Sequence, residues 1–414
     1  MLMPITTASA ALPGGSWVKH ASNPVAPSPL CGVSSIFRPH VLVDTSEYKM
    51  YFNDQSSLTS THLATSADGG LSWTCTGGTV LLPGGAGAWD ESRAINATVI
   101  KDGGTYKMWY AGRNAAGTYA IGYATSGDGV IWTKHAGNPV LTIGGLGAWD
   151  SQIVREPSVV KDGGGTYHMW YAGTDNWPRF NIGHATSPDG IAWTKDSANP
   201  VLVGTAGQWD ANETYAPSVV MNGGVFEMFY SGENGNRWLE GHASSPDGTV
   251  WTKDDNAILS PETTGWETGD STDYASAVLD GGAWKLFYSG AGSGGYQIGL
   301  ATLISQAQLT FRPMATSLAV GGSTDVYVDL TSVTNLYGYQ FQVSYDMGKV
   351  SATGAFVDSF FDTDPDASIP PSWNASCAAG VCKFAVSKLA PATASTGSGP
   401  LAKITFTGAA SGLT

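Results

Sequence analysis

Glu156 stands between Arg155 and Pro157 at the head of an apolar run, Ser158-Val159-Val160. A carboxyl beside a guanidinium can hold a polar ligand. Where burial or a second carboxylate opposes the arginine, it can also act as a general acid. Four similar segments carry other residues at the same head: FRPHVL supplies Arg38 and His40, INATVI supplies Asn96, YAPSVV supplies Tyr215, and DYASAV supplies Asp273 and Tyr274. The apolar tails of these segments stay constant while the heads differ, so the tails build the fold and the heads are candidate site residues. Glu156 is the first candidate proton donor, with Asp273, Glu213, Asp175 and Glu233 as candidate second carboxyls. The competing reading is that Arg155 and Glu156 form an ion pair that fixes neighbouring strands.

A second variable set follows the next strand of each segment, in NDQSSLTS, GRNAAGT, GTDNWPRF, GENGNRWLE and GAGSGG. These loops supply Arg113, Asp175, Trp177, Glu233, Arg237 and Trp238, with Asn114, Asn176, Arg179 and Asn236 beside them. An indole face takes the apolar C–H face of a sugar ring, while amides, carboxylates and guanidiniums bond its hydroxyls. Trp177 and Trp238 are therefore candidate sugar platforms, with packing within the loops as the alternative.

These residues sit in a repeat. KDGGTYKMWYAGRNAAGTYAIGYATSGDGVIWTKHAGNPVL (101–141) is followed by KDGGGTYHMWYAGTDNWPRFNIGHATSPDGIAWTKDSANPVL (161–202), with further copies before and after. Each copy reads as four strands separated by Gly and Asp-Gly turns, and a four-stranded sheet repeated radially is a propeller blade. Five copies of the second and third strands predict five blades. The fifth copy lacks its last strand. The N-terminus carries a spare one, SWVKHASNPV (16–25) against IWTKHAGNPV (131–140), which predicts that residues 16–25 close the fifth blade. In such a ring, the start of each inner strand and the loop after the second strand share one face, so both variable sets converge there.

The recurrent polar motifs read as scaffold. SADGGLSW (66–73) and its looser copies at Asp128, Asp189 and Asp247 shape hairpin turns, and the pairs Trp89-Asp90, Trp149-Asp150, Trp209-Asp210 and Trp266-Glu267 pack and cap blade entries.

Composition agrees with an all-β chain of several domains. Of 414 residues 13% are charged, while 54 are Gly, which suits short strands and tight turns. The net charge of −14 makes nucleic acid and anionic membrane surfaces poor partners. No apolar run is long enough to span a bilayer. No ligand spacing for zinc is present, so no metal is expected, with calcium in or near the central channel left as an alternative. Four cysteines fit an oxidising, extracellular location, with Cys31–Cys75 and Cys377–Cys382 as expected disulfides.

The expected domains are a flexible segment (1–15), a five-bladed β-propeller (16–306) and a β-sandwich (307–414). The last rests on alternating strands such as STDVYVDLTSVTNLYGYQFQVSYD and GSGPLAKITF. These two strand motifs resemble cohesin modules, and that resemblance implies a dockerin-type partner. The alternative is a spacer or carbohydrate-binding sandwich.

Residues 16–305, with MWYAG and ATSxDG strands and an acid-Pro at an inner-strand start, resemble the five-bladed glycoside hydrolases of the arabinanase/xylosidase, invertase and mannoside-phosphorylase types. The resemblance implies carbohydrate as ligand and, for the arabinanase type, acids heading the first three inner strands. Only the third has a counterpart here, Glu156; the first slot holds Arg38 and the second Asn96, and the invertase-type Asn-Asp-Pro is absent. A phosphorylase would need one acid and a phosphate pocket, for which Arg38, Arg113 and Arg155 are candidates. The expected function is a secreted glycoside hydrolase on a polysaccharide or oligosaccharide. The alternative is a non-catalytic glycan-binding or adhesion propeller.

Overall fold

A computed structural model describes residues 15–303, apart from residues 46, 56, 263, 264, 270 and 293, and beyond them only backbone strands up to residue 408. The chain divides into two compact units, Trp17–Leu303 and Ile304–Thr414, the latter taking Gly14–Ser16.

The propeller begins with β1 (Gly15–Lys19), of which Trp17–Lys19 belong to the first unit, and continues as four-stranded antiparallel sheets. Blade 1 is β2 (Ile36–Asp44), β3 (Glu47–Asp54), β4 (Thr61–Ser66) and β5 (Thr74–Leu81). Blade 2 is β6 (Arg93–Asp102), β7 (Thr105–Arg113), β8 (Tyr119–Ser126) and β9 (Thr133–Lys134). Blade 3 is β10 (Ile153–Lys161), β11 (Tyr167–Asn176), β12 (Arg179–Ser187) and β13 (Thr194–Lys195). Blade 4 is β14 (Glu213–Asn222), β15 (Val225–Glu233), β16 (Trp238–Ser245) and β17 (Thr252–Lys253). Blade 5 holds β18 (Thr272–Asp280), β19 (Ala283–Gly292) and β20 (Gly295–Ser305), and its fourth strand is β1, in the order β1-β20-β19-β18. The N-terminal strand thus lies on β20 at the edge of the fifth blade, and residues 20–25 of the expected segment fall outside it.

The second strand of each blade is covered on both faces. In β7, Met108 and Tyr110 pack in a core with Leu63 and Val99, while Trp109 joins Met169 and Tyr171 of blade 3. Alternation therefore sorts side chains between two neighbours rather than between core and solvent.

The Trp-Asp pairs lock each blade. Trp149 lies against Gly173 and Gly183, where a Cβ would come within 2.6 and 2.4 Å of the indole. Asp150 accepts from Tyr171 Oη (3.0 Å) and from Lys195 Nζ (2.5 Å). Asp90 and Asp210 repeat this with Tyr110 and Lys134, and with Tyr230 and Lys253. In blade 5 the lysine is Lys19 from β1, paired with Glu267. Asn23 likewise repeats Asn138: it accepts from Leu300 N (2.8 Å) and donates to Leu300 O (3.0 Å), as Asn138 does with Tyr123.

A disulfide joins Cys31 to Cys75, with Cα atoms 5.1 Å apart, and ties the entry loop of blade 1 to β5. The turns at Asp68, Asp128, Asp189 and Asp247 are hydrogen-bonded within themselves; Asp189 Oδ1, for example, accepts the amides of Ile191 and Ala192.

The second unit contains β21 (Gln308–Arg312), β22 (Ser323–Leu336), β23 (Gly338–Ser344), β24 (Val350–Val357), β25 (Ser372–Ala378), β26 (Val381–Ser387) and β27 (Ser395–Gly408). They form a four-stranded sheet, β21-β22-β27-β24, and a three-stranded sheet, β23-β26-β25. The flexible segment 1–15 (all but its last residue), cohesin-like packing, the dockerin-type partner and the Cys377–Cys382 bridge lie outside the described residues.

Candidate functional site

Each inner strand bulges near its start. The register with the second strand slips between Phe37 and His40, Ile95 and Thr98, Arg155 and Ser158, Tyr215 and Ser218, and Asp273 and Ser276. Within each bulge one non-glycine residue has positive φ: Arg38 (56°), Asn96 (56°), Glu156 (57°), Ala216 (49°) and Tyr274 (53°). This conformation costs an L-residue about 1–2 kcal/mol. Its recurrence at one level of all five blades marks a place where the fold holds strain, as binding sites do. A bulge re-aims side chains. Here it sets five residues in a ring around a central cavity of about 60 Å³.

The ring is bonded to itself. Arg38 donates through Nη1 to Asn96 Oδ1 (2.8 Å) and through Nη2 to Tyr274 Oη (2.7 Å). Tyr274 Oη donates to Glu156 Oε1 (3.2 Å), Arg155 Nε lies 2.9 Å from the same oxygen, and Glu156 Oε2 accepts the Ala216 amide (3.0 Å). Both oxygens of Glu156 are thus occupied as acceptors, and the residue is buried. The expected proton donor is held as an acceptor at the hub of the ring, the ion-pair alternative. The ring offers calcium one carboxylate, already engaged, and among the described residues no three His, Cys, Asp or Glu side chains converge.

Two residues further along each inner strand lies a second belt. Ser158, Ser218 and Ser276 accept the amides of Val219, Ala277 and Val41 on the next blade, at 2.8–2.9 Å. His40 takes this place in blade 1, with Nε2 2.9 Å from the Val99 amide. Burial pushes its pKa down to about 4, so it is a neutral structural residue whose Nε2 also lies 2.9 Å from the Val99 carbonyl.

Beside the ring open two adjoining pockets. One, of about 280 Å³, is lined by Glu213, Tyr215, Asp273, Trp177 and Trp238, with Phe37, Phe180 and Tyr296. Glu213 heads β14, three residues before the ring position, and Asp273 directly precedes Tyr274. Burial pushes the Glu213 carboxyl up to about 7, the Glu156 and Glu233 charges add to this, and Trp238 and Arg155 oppose it. Burial also pushes Asp273 up to about 7; Arg38 and Tyr215 pull the other way, and Glu156 again adds. Tyr215 Oη donates to Asp273 Oδ2 (3.2 Å). Trp177 and Trp238 are 57% and 38% exposed, which leaves indole surface open to a ligand beside the Arg155 guanidinium, 5.5 Å from the Trp177 ring centre. The second pocket, of about 440 Å³, is lined by Arg38, Arg93, Arg113, Arg155, Tyr119 and Trp177, among others.

The structure therefore gathers Glu213, Asp273, Arg38, Arg113, Arg155, Trp177, Tyr215, Trp238 and Tyr274 at one mouth, with Asn96 and Glu156 in the ring beneath. It leaves four expected residues outside, the first being His40 of the belt described above. Asp175 is exposed on its hairpin, where its carbonyl accepts from Gln152. Glu233 caps its own loop, accepting from Asn212 Nδ2 (3.2 Å) and Gly235 N. Arg237 is exposed and lines neither pocket. Arg93, Phe37, Phe180, Tyr119 and Tyr296 were not legible as site residues. The spacing of Arg93, three before Asn96 as Glu213 is before Ala216, is the signal that finds the first of them.

No family model matches the chain. Two curated Mycobacterium tuberculosis proteins, "Uncharacterized protein MT1551" (strain CDC 1551 / Oshkosh) and "Uncharacterized protein Rv1502" (strain ATCC 25618 / H37Rv), are each 32% identical over 238 residues, covering 54% of this chain and 76% of theirs. Among solved structures, a glycosyl hydrolase from Bacteroides ovatus matches with a TM-score of 0.56 at 19% identity, over 70% of this chain and 93% of its own. A structure from work on the GH130 family of mannoside phosphorylases, containing glycoside hydrolases that target beta-1,2 mannosidic linkages in Candida mannan, matches with 0.56 at 18%, over 70% and 93%. A third, a thermostable family-43 glycoside hydrolase, matches with 0.54 at 18%, over 70% and 94%. These likenesses show the five-bladed fold.

Proposed function

The chain belongs to the family of those two uncharacterized mycobacterial proteins, and we propose that this member is a secreted carbohydrate-active enzyme, a glycoside hydrolase whose catalytic pair is Glu213 and Asp273. The observation that carries the reading is that both carboxyls face one aromatic pocket and are both pushed up to about 7 by burial. Both carboxyls are thereby shifted toward the protonated form, which favours a pair that keeps one proton near neutral pH. Glycosidic cleavage asks for that state: one carboxylic acid protonates the leaving oxygen while the other carboxylate acts as base or nucleophile. Glu213, at the rim beside Trp238, is placed to give the proton to a departing sugar. Asp273, deeper and bonded by Tyr215, is the carboxylate partner. Trp177 and Trp238 provide faces for sugar rings on either side.

The fold shared with proteins described as glycosyl hydrolases supports this reading. A disulfide, and the lack among the described residues of a helix long and apolar enough to cross a membrane, are compatible with an extracellular location.

Sugar release from a broad oligosaccharide panel tests the proposal. Glu213→Gln and Asp273→Asn should each lower turnover by about 100- to 10,000-fold and leave ligand binding within a few-fold. Full activity in both variants would place the chemistry elsewhere. A wild-type protein that binds glycans and cleaves none would make the propeller a glycan-binding module.

A further inference from the structure

Lysine and arginine do different work in this propeller. All nine lysines between residues 17 and 303 are ion-paired with an Asp or Glu, most of them on the flanks of the blades. Six arginines lie in the same span, and four of them, Arg38, Arg93, Arg113 and Arg155, line one pocket. Arg38 and Arg155 share the single carboxylate Glu156. Arg93 and Arg113 have no carboxylate within 4 Å among the described residues. Arg93 donates instead to Tyr119 Oη (3.0 Å), and Arg113 lies 5.7 Å from the Tyr119 ring centre. In a chain of net charge −14, four guanidiniums line one pocket whose described lining holds no carboxylate.

The guanidiniums are also held in place. Arg155 lies 4.1 Å from the Phe180 ring centre and 5.5 Å from Trp177, and Arg38 lies 4.3 Å from that of Tyr274. Stacking of this kind fixes the plane of the fork that meets an oxyanion with two parallel bonds. Arg38 Nε is buried and has no hydrogen-bond partner.

We infer that this arginine pocket is a subsite for an oxyanion carried on the sugar ligand, the carboxylate of an acidic saccharide. The inference rests on the sugar-active reading above and adds the class of ligand. Three observations favour a sugar-borne anion over free phosphate. The pocket measures about 440 Å³, within the range that organic ligands occupy and far more than inorganic phosphate fills. Its walls include Trp177, 57% exposed, whose indole offers apolar surface that a free oxyanion does not use. Trp177, Arg38 and Arg155 also line the pocket of Glu213 and Asp273, so one oligosaccharide can run from the acidic half of the mouth, in blades 4 and 5, to the basic half in blades 1 to 3.

The test is calorimetric binding of the full chain to oligomers of galacturonate, glucuronate and mannuronate, each against its methyl ester, with inorganic phosphate as a separate titrant. The expected result is that at least one acid binds tenfold or more tightly than its ester, with an affinity that falls as salt rises. Arg93→Gln and Arg113→Gln should each weaken the acid about tenfold and the ester little, the worth of one charged hydrogen-bonded contact. The comparison of acid with ester on the wild-type protein needs no variant, so a variant that fails to fold does not decide the outcome. Equal binding of acid and ester overturns the inference and leaves the sugar-active reading standing. Phosphate binding without any preference for acidic sugars also overturns it, in favour of a free anion. Absence of all saccharide binding overturns both.

Discussion

Glu156 is the residue whose role changes most between sequence and structure. An acid before a proline at an inner-strand start reads as a proton donor, yet its oxygens accept from Tyr274 and the Ala216 amide, with the Arg155 guanidinium paired beside them. Its charge remains useful at a distance, because it raises the pKa of both Glu213 and Asp273. A neighbouring negative charge disfavours a second one, so it holds the protons on the pair. Replacing it by an amide removes that repulsion. Both pair members should then titrate lower, and the pH–rate profile should move to the acid side. A purely structural role predicts weaker binding or lower stability with the profile unmoved. The check is kcat/KM of Glu156→Gln against pH, on any substrate that the wild type turns over; a profile that stays in place, or moves to higher pH, rejects the assignment.

At the scale of elements, the blade is what the sequence states most clearly. Repeated strand phrases, Asp-Gly turns and residues 16–19 of the spare segment each map onto an observed strand or turn, because period-2 alternation and turn residues are local signals. The bulge is not local in this sense. Nothing in FRPHVL or REPSVV announces that Arg38 and Glu156 adopt positive φ, or that consecutive residues such as Arg155 and Glu156 both reach the site. That follows from how five inner strands meet at an axis. Asp175, Glu233 and Arg237 were chosen for chemistry in a variable loop, and their hairpins turn them outward or use them as caps. Phe180 and Tyr119 carry no such signal, because an aromatic residue in a strand reads as core. The Trp-Asp corners are the better test of element-level physics. At Gly183 a Cβ would sit 2.4 Å from Trp149, whereas at Gly145 it meets open space. Gly183→Ala should cost about 1–3 kcal/mol through overpacking and Gly145→Ala well under 1. Denaturant unfolding of the two variants measures this, and equal stabilities would mean that the indole has room to move.

Across the propeller as a whole, charge and closure are settled by different residues. Lysines are taken up in ion pairs, most within a blade and two, Lys101–Asp44 and Lys161–Asp102, between neighbouring blades, which leaves the arginines to set the potential of the mouth in an otherwise acidic molecule. Closure depends on residues far apart in sequence. Ser276 of blade 5 accepts the Val41 amide of blade 1, Tyr48 of blade 1 bonds Asp280 of blade 5, and β1 completes the last sheet. Lys19 in β1 supplies the counter-charge to Glu267, which is fully buried, and Val25 and Ala26 fill the core between the first and last blades. Removal of residues 1–25 therefore leaves a buried carboxylate unpaired, an open edge on β20 and a void in that core. A combined loss of about 3 kcal/mol would lower the melting temperature by roughly 5 °C for a domain of this size. Calorimetry of the truncated chain should show that fall. A synthetic peptide of residues 15–26 should restore part of it, because the strand pairs through its own backbone and Asn23. A melting temperature unchanged by the truncation would mean that the ring is held by blade-to-blade packing alone and that β1 is an ornament on its edge.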